Sequence, residues 1–310
     1  MTLLYTDPLF LHHETGPHPE TPDRLRAINA RLEKTDLPSR CRPGSYRPLT
    51  AEIVEQIHSQ RMVRSAEGMS VRGGGHLDPD TVVSTESYTV ALAAAGACVS
   101  AVEAVLSGDD RNALCLVRPP GHHATPARSM GFCLFNNIAI GALHARAKHG
   151  LTRIAVVDFD VHHGNGTQDI FWNDPNLFYA STHQSPLYPG TGSRSERGAA
   201  DNVVNVPLPP GAGSEEFRNA LEETVLPALD RFATEFVLIS AGFDAHAADP
   251  LASLRLGDDD FAWATERLCN IANRHCRGRV VSVLEGGYDL DALASSAAAH
   301  VRALLEESGT

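Results

Sequence analysis

Short aliphatic and β-branched runs alternate with longer stretches of helical periodicity, and this alternation constrains the fold more than any other feature. Candidate strands lie at 3–6, 113–117, 153–158, 176–181, 202–206, 236–240 and 279–284. Candidate helices lie at about 21–34, 86–106, 135–149, 214–232, 258–275 and 289–305. Several strands are unbroken apolar runs, which suits a parallel sheet covered on both faces. The pattern predicts an α/β domain of doubly wound type, its sheet mostly parallel and flanked by helices. Thr21-Pro22 and Ser214-Glu215-Glu216 carry helix-start signals. The Gly/Pro-rich segments 68–80, 184–200 and 207–213 read as loops. No repeat, low-complexity tract or linker divides the chain, so one domain over residues 1–310 is expected.

Composition narrows the partners. With 26 Lys+Arg against 38 Asp+Glu, the formal charge of −12 argues against nucleic-acid binding, which needs clustered cations. It agrees with a cationic substrate, although many inert surfaces are as acidic. The six cysteines form no CxxC pair and read as reduced thiols of a cytoplasmic protein. Residues 1–12 lack the cationic start and apolar stretch of a signal peptide. The Ala-rich run 90–106 is broken by Gly96, Ser100 and Glu103, so it reads as a buried helix and no membrane association is expected. Fifteen histidines exceed what folding needs, so their placement matters.

Four polar clusters directly follow four candidate strands. Asp158-Phe159-Asp160-Val161-His162-His163-Gly164-Asn165-Gly166 follows 153–157. Residues two apart on a strand share a face, so Asp158, Asp160 and His162 converge if the extended conformation persists. Two carboxylates and an imidazole make a metal platform; the plainer reading is an acidic strand end capping the next helix. Arg118-Pro119-Pro120-Gly121-His122-His123 follows 113–117, and adjacent side chains diverge, so the two imidazoles should have different partners. Ser240-Ala241-Gly242-Phe243-Asp244-Ala245-His246 places Asp244 at a third strand end, as a further ligand or a turn residue. Glu285-Gly286-Gly287-Tyr288 offers a phenol beside two glycines, which a packed turn would also explain. In open α/β sheets, sites collect where strands end, so the four together are more specific than any one.

In this order RPPGHH, GFC, DFDVHHGNGTQ, PGTG, SAGFDAH-DPL and EGGY resemble the zinc-dependent histone deacetylase family, from about residue 19 to 292. Asn165, where class I members carry Asp, is similar to class II and its bacterial relatives; the family also includes acetylpolyamine amidohydrolases. The resemblance implies an arginase–deacetylase fold and a zinc-dependent deacetylase with Asp160, His162 and Asp244 as metal ligands. Zn²⁺ is the implied ion, and oxygen-rich ligation also admits Fe²⁺. His123 is implied as general base and then acid, and His122, paired with Asp158, as its orienting partner. Asn165 is implied as the hydrogen-bond partner of His123, and Tyr288 as donor to the acetyl oxygen. Gly131, Phe132 and Tyr188 match the walls of an alkyl channel, Tyr188 replacing a common Phe. Ser181 and the backbone around Asp158 match a structural K⁺ site. Arg24 resembles an arginine near an internal exit route for acetate, and Asp78 or Asp80 is placed at the rim, where a Pro79 turn explains them equally.

Leu251 follows Asp249-Pro250 as in lysine deacetylases, where polyamine-selective relatives carry Glu. The expected substrate is therefore Nε-acetyl-lysine in a peptide or protein. An acetylated polyamine is the alternative, and a silent acyl-lysine binder the third reading. Gly164 stands where a second metal's Asp would be in arginases, which disfavours a binuclear site through His246. His163 is expected to face away from the metal. The sequence leaves the oligomeric state open.

Overall fold

Eight parallel strands form the centre of the computed structural model, which describes residues 1–307. The last three residues of the expected 1–310 domain lie outside the described residues. Among the described residues there are ten strands: β1 (Thr2–Tyr5), β2 (Cys41–Pro43), β3 (Gly75–Asp78), β4 (Thr81–Val83), β5 (Asn112–Cys115), β6 (Ile154–Asp158), β7 (Leu177–Gln184), β8 (Val203–Leu208), β9 (Phe236–Ala241) and β10 (Val280–Leu284). The main sheet runs β2-β1-β5-β10-β9-β6-β7-β8, and β3 and β4 form a separate antiparallel hairpin. The four central strands β5, β10, β9 and β6 are buried throughout, as their apolar sequences require.

This order positions the site. The four polar clusters follow β5, β10, β9 and β6, which are consecutive neighbours in the sheet. Register aligns their ends: Asp158 pairs with Ser240 on one side and Ser181 on the other, and Leu284 pairs with Ala241. Chemistry scattered over 170 residues of sequence is thereby gathered on one edge, the carboxyl ends of a parallel sheet.

Helices cover the sheet in two groups. Ser87–Ser107 packs on Asn137–His149, and Leu290–Glu307 packs on Asp258–Cys276 and Asp23–Glu33. Ser87–Ser107 is long and apolar enough to cross a membrane by length and composition, but most of it is buried inside the protein. A Cβ at Gly96 would collide with the backbone of Arg47, so glycine permits that close packing.

The structure adds elements that were not expected, β2 and the helix Asn165–Phe171 among them, and departs from the expected ones as follows. Segment 68–80 is no loop: it holds the end of the helix Gln60–Val71, all of β3 and the turn to β4. Ser59 caps that helix by accepting from Met62 N–H, and Met62, Val63 and Ala66 supply its buried face. Of the glycines that suggested a loop, Gly73 and Gly74 form the turn between the helix and β3 at positive φ, while Gly68 lies in the helix and Gly75 in β3. The helix expected over 214–232 is interrupted by a π turn at Leu221–Val225, just before Pro227, which has no N–H to donate. The helix does begin at Ser214, with Gly213 as its cap, whose N–H is held by Glu216. Finally, β8 runs to Leu208, into the expected loop at 207–213.

Candidate active site at the strand ends

β6 ends at Asp158, and the chain beyond it crosses the end of β9. Asp160 Oδ1 accepts His162 N–H (2.8 Å) and its Oδ2 accepts Gly286 N–H (2.8 Å). Asp244 Oδ1 accepts Val161 N–H (2.8 Å). These bonds aim three donor atoms at one another: His162 Nδ1 lies 3.2 Å from Asp160 Oδ1 and 3.0 Å from Asp244 Oδ2. One ligand atom from each of Asp160, His162 and Asp244 lies within 4.8 Å of the others. A Cβ at Gly242 would run into the Asp160 carboxylate, and one at Gly286 into the carboxylates of Asp244 and Asp160. Glycine at both places is what lets the backbone close around the pair.

Without a cation this arrangement is under electrostatic stress. Burial, then the neighbouring Asp160, pushes Asp244 up to about 7. Burial disfavours the charged imidazole of His162, yet the Asp160 and Asp244 carboxylates raise it to about 10. Two buried carboxylates and one imidazole on a glycine-lined floor fit a divalent ion, with three protein ligands leaving coordination positions free for other ligands.

The tandem histidines come from the loop after β5. His122 Nδ1 meets Asp158 Oδ2 (2.9 Å), which also accepts from Tyr179 OH (3.0 Å). His123 Nδ1 meets Asn165 Oδ1 (2.8 Å), while Asn165 Nδ2 points to Met130 Sδ (3.5 Å). An amide oxygen only accepts, so Nδ1 of His123 carries the proton and Nε2 keeps its lone pair. Burial, reinforced by His122 and His162, holds His123 well below the usual imidazole range. Burial also opposes charge on His122, but Asp158, Asp160 and Glu285 raise it well above that range. Two imidazoles with centroids 4.0 Å apart are thus shifted in opposite directions. Tyr288 is held by its backbone N–H on Asp249 Oδ2 (2.7 Å), and burial, above all, keeps its phenol protonated.

A model of the histone deacetylase domain matches residues 18–304. The chain belongs to the histone deacetylase family. It is 38% identical to the histone deacetylase-like amidohydrolase of Pseudomonas aeruginosa over 93% of this chain and 81% of that protein. It is also 38% identical to the chloroplastic histone deacetylase 14 of Arabidopsis thaliana, over 98% of this chain and 77% of the relative. The crystal structure of the HDA15 HD domain superposes with a TM-score of 0.93 at 37% identity, covering 100% of this chain and 89% of that one. The chemistry of this deacetylase domain is therefore amide hydrolysis in a metal-dependent family.

The other expected residues are also placed. Phe132 stacks edge-on to Tyr288 (5.7 Å) and Tyr188 edge-on to His123 (5.1 Å). Gly131 has φ +56° and lies against the His123 ring, where a side chain would intrude. Leu251, partly buried, is tied beside Tyr288, because Asp249 Oδ1 accepts its N–H (2.9 Å). His163 turns away to Thr191 and Gln168. His246 faces Asp258 at 3.8 Å. Asp78 caps its own turn through Asp80 N–H and Thr81 Oγ1, and meets Arg128 at 3.4 Å. Ser181 Oγ bonds His183 Nδ1 (2.9 Å). Arg24 is buried with its guanidinium 5.0 Å from the Tyr288 ring centroid.

Sequence reasoning passed over Glu20, Arg118 and Glu285, all fully buried. Arg118 and Glu285 lie inside the motifs already singled out, RPPGHH and EGGY, as their only ordinarily charged residues. Strongly polar residues hard against apolar strands were the available signal. Glu20 had none, since an acid before a helix usually faces solvent.

Proposed function

We propose that the protein removes acetyl groups from Nε-acetyl-lysine in peptides or proteins, using Zn²⁺ held by Asp160, His162 and Asp244, with Fe²⁺ an alternative occupant. The carrying observation is the placement of the tandem histidines beside the ligand triad, His123 Nδ1 on Asn165 Oδ1 (2.8 Å) and His122 Nδ1 on Asp158 Oδ2 (2.9 Å). His123 Nε2 takes a proton from the attacking water, then returns it to the departing amine nitrogen. Asn165 holds the reactive tautomer, and His122, charged against Asp158, keeps its neighbour neutral. Tyr288 O–H donates to the acetyl oxygen as negative charge develops there. When bound, the ion supplies Lewis acidity and lowers the pKa of water. Gly131, Phe132 and Tyr188 grip the alkyl chain, and a K⁺ ion near Asp158 and Ser181 is a structural proposal. Six free cysteines, five of them buried, accord with a reducing compartment, read as the cytoplasm.

Lysine is preferred over polyamine because Leu251 offers no charge to a distant ammonium, and the nearby Asp78 carboxylate already faces Arg128. The test compares kcat/KM for an acetyl-lysine peptide with acetylputrescine and acetylspermidine on Zn²⁺-loaded protein. A peptide preference is expected; a large polyamine preference would overturn it. Tyr288→Phe should lower kcat by roughly 10²–10³-fold, as loss of one oxyanion donor does elsewhere. A metal-loaded wild type inactive on every acylamine would instead identify a silent binder.

A further inference from the structure

Glu285 directly follows β10 and has no exposed surface. Its Oε2 accepts two backbone N–H groups from the loop after β5, Gly121 at 2.7 Å and His122 at 3.1 Å. Ser240 Oγ donates to its Oε1 at 3.3 Å. The segment that follows is fixed residue by residue. Gly286 N–H lies on Asp160, Tyr288 N–H lies on Asp249, and the carbonyls of Glu285 and Gly287 accept from Arg24. One end of this segment therefore holds the histidine loop and the other carries the phenol.

We infer that Glu285 is a positioning residue, which sets the spacing between the His122–His123 loop and Tyr288 by tethering the Gly121 and His122 N–H groups to the strand end that carries the phenol. The inference rests on the roles proposed above for His123 and Tyr288. Two buried N–H groups in a tight loop need an acceptor. The loop cannot drift to find another on the side of Asn137, whose backbone would already meet a Cβ built on Gly121. Taking the acceptor from the Tyr288 segment makes two catalytic loops one rigid unit. Misplacing a reacting group by about 1 Å can cost roughly a hundredfold in rate.

Three variants separate tether from charge. In Glu285→Gln the amide oxygen accepts both N–H groups and the NH₂ donates to Ser240 Oγ, so geometry persists while charge is lost. Glu285→Asp withdraws the carboxylate by one methylene, and Glu285→Ala removes it. On Zn²⁺-loaded protein with an acetyl-lysine peptide, Gln should keep kcat within about threefold of wild type. Asp and Ala should lose roughly 10–100-fold in kcat with KM within about threefold and metal content unchanged. Amide hydrogen exchange over 119–124 should quicken in Asp and Ala but not in Gln, a readout that does not depend on which substrate is correct. If Ala fails to fold, Asp reads the same quantities. Gln falling as far as Asp, or Asp retaining wild-type kcat and exchange, overturns the inference; a wild type inactive on acyl-lysine with these exchange differences intact would overturn only the substrate.

Discussion

Two clusters of buried charge lie near Tyr288, and they are built on opposite rules. In one, Glu20 is enclosed by arginines: Arg118 Nε at 2.5 Å and Nη2 at 2.8 Å, and Arg24 Nη1 at 3.1 Å. The remaining guanidinium donors reach the carbonyls of Phe10, His13, Gly287 and Glu285. In the other, Asp160 and Asp244 face each other across His162, and no arginine or lysine bonds to either among the described residues. Burial alone would raise Glu20, yet Arg118 brings it down to about 2, while Asp244 rises to about 7. The closed cluster satisfies itself and holds the protein together. The open cluster is left short of positive charge, which is the condition for taking up an ion.

The largest effect tests the open cluster. Asp244→Asn removes one anionic ligand and should lower kcat/KM by at least about 10³-fold, equivalent to roughly 4 kcal/mol. Zn²⁺ content after dialysis should fall with it. The metal-free variant should nevertheless unfold in urea within about 1 kcal/mol of metal-free wild type, because one of two repelling buried carboxylates is gone. Chelation should destabilise only the wild type, whose native state binds the ion. A variant that keeps its Zn²⁺, or loses several kcal/mol of stability when metal-free, would break the distinction between the clusters.

That distinction was only half legible in the sequence. The sheet strands could be read because parallel core strands are unbroken apolar runs, as at 236–240 and 279–284. The ligand triad could be read because Asp160, His162 and Asp244 sit directly after such runs. The edge strand β2 was not legible: Cys41–Pro43 is three residues long, contains proline and is largely exposed. The helix Gln60–Val71 was hidden by the glycines that end it. The closed cluster escaped for a different reason. Glu20 and Arg118 are 98 residues apart and meet only because β1 and β5 are sheet neighbours, a fact of topology rather than of local pattern.

The second effect belongs to that closed cluster. Arg118→Ala leaves Glu20 buried with fewer partners and uncaps the carbonyls of Phe10 and His13. Breaking a buried ion pair from one side typically costs about 3–5 kcal/mol. The urea midpoint of the metal-loaded protein should shift accordingly, while Zn²⁺ content per folded molecule stays at wild-type level. Loss of metal at unchanged stability would show the two clusters to be a single unit, and the comparison would fail.

A smaller effect separates buried charge from a buried group that stays neutral. His300 is wholly buried between Thr265 Oγ1 (2.6 Å) and Ser282 Oγ (2.8 Å), and burial lowers it to about 3. Its folded pKa lies below the unfolded value of about 6.5, so between these values the unfolded chain binds a proton that the native state refuses. Stability contributed by the neutral native imidazole is full above pH 6.5 and is lost as pH falls towards 3. By pH 5 the loss is about 2 kcal/mol, from roughly 1.5 pH units at about 1.4 kcal/mol each. The Glu20 linkage has the same sign but a lower window, because its stabilisation declines only as pH falls from about 4.5 towards 2. His300→Gln should therefore reduce the stability difference between pH 7.5 and pH 5 by about 2 kcal/mol in urea titrations. An unchanged difference would mean that His300 titrates normally and that acid sensitivity in this window arises elsewhere. The window, not the sign, tells the groups apart: an enclosed ion pair resists mild acid, whereas a histidine kept neutral by burial yields first.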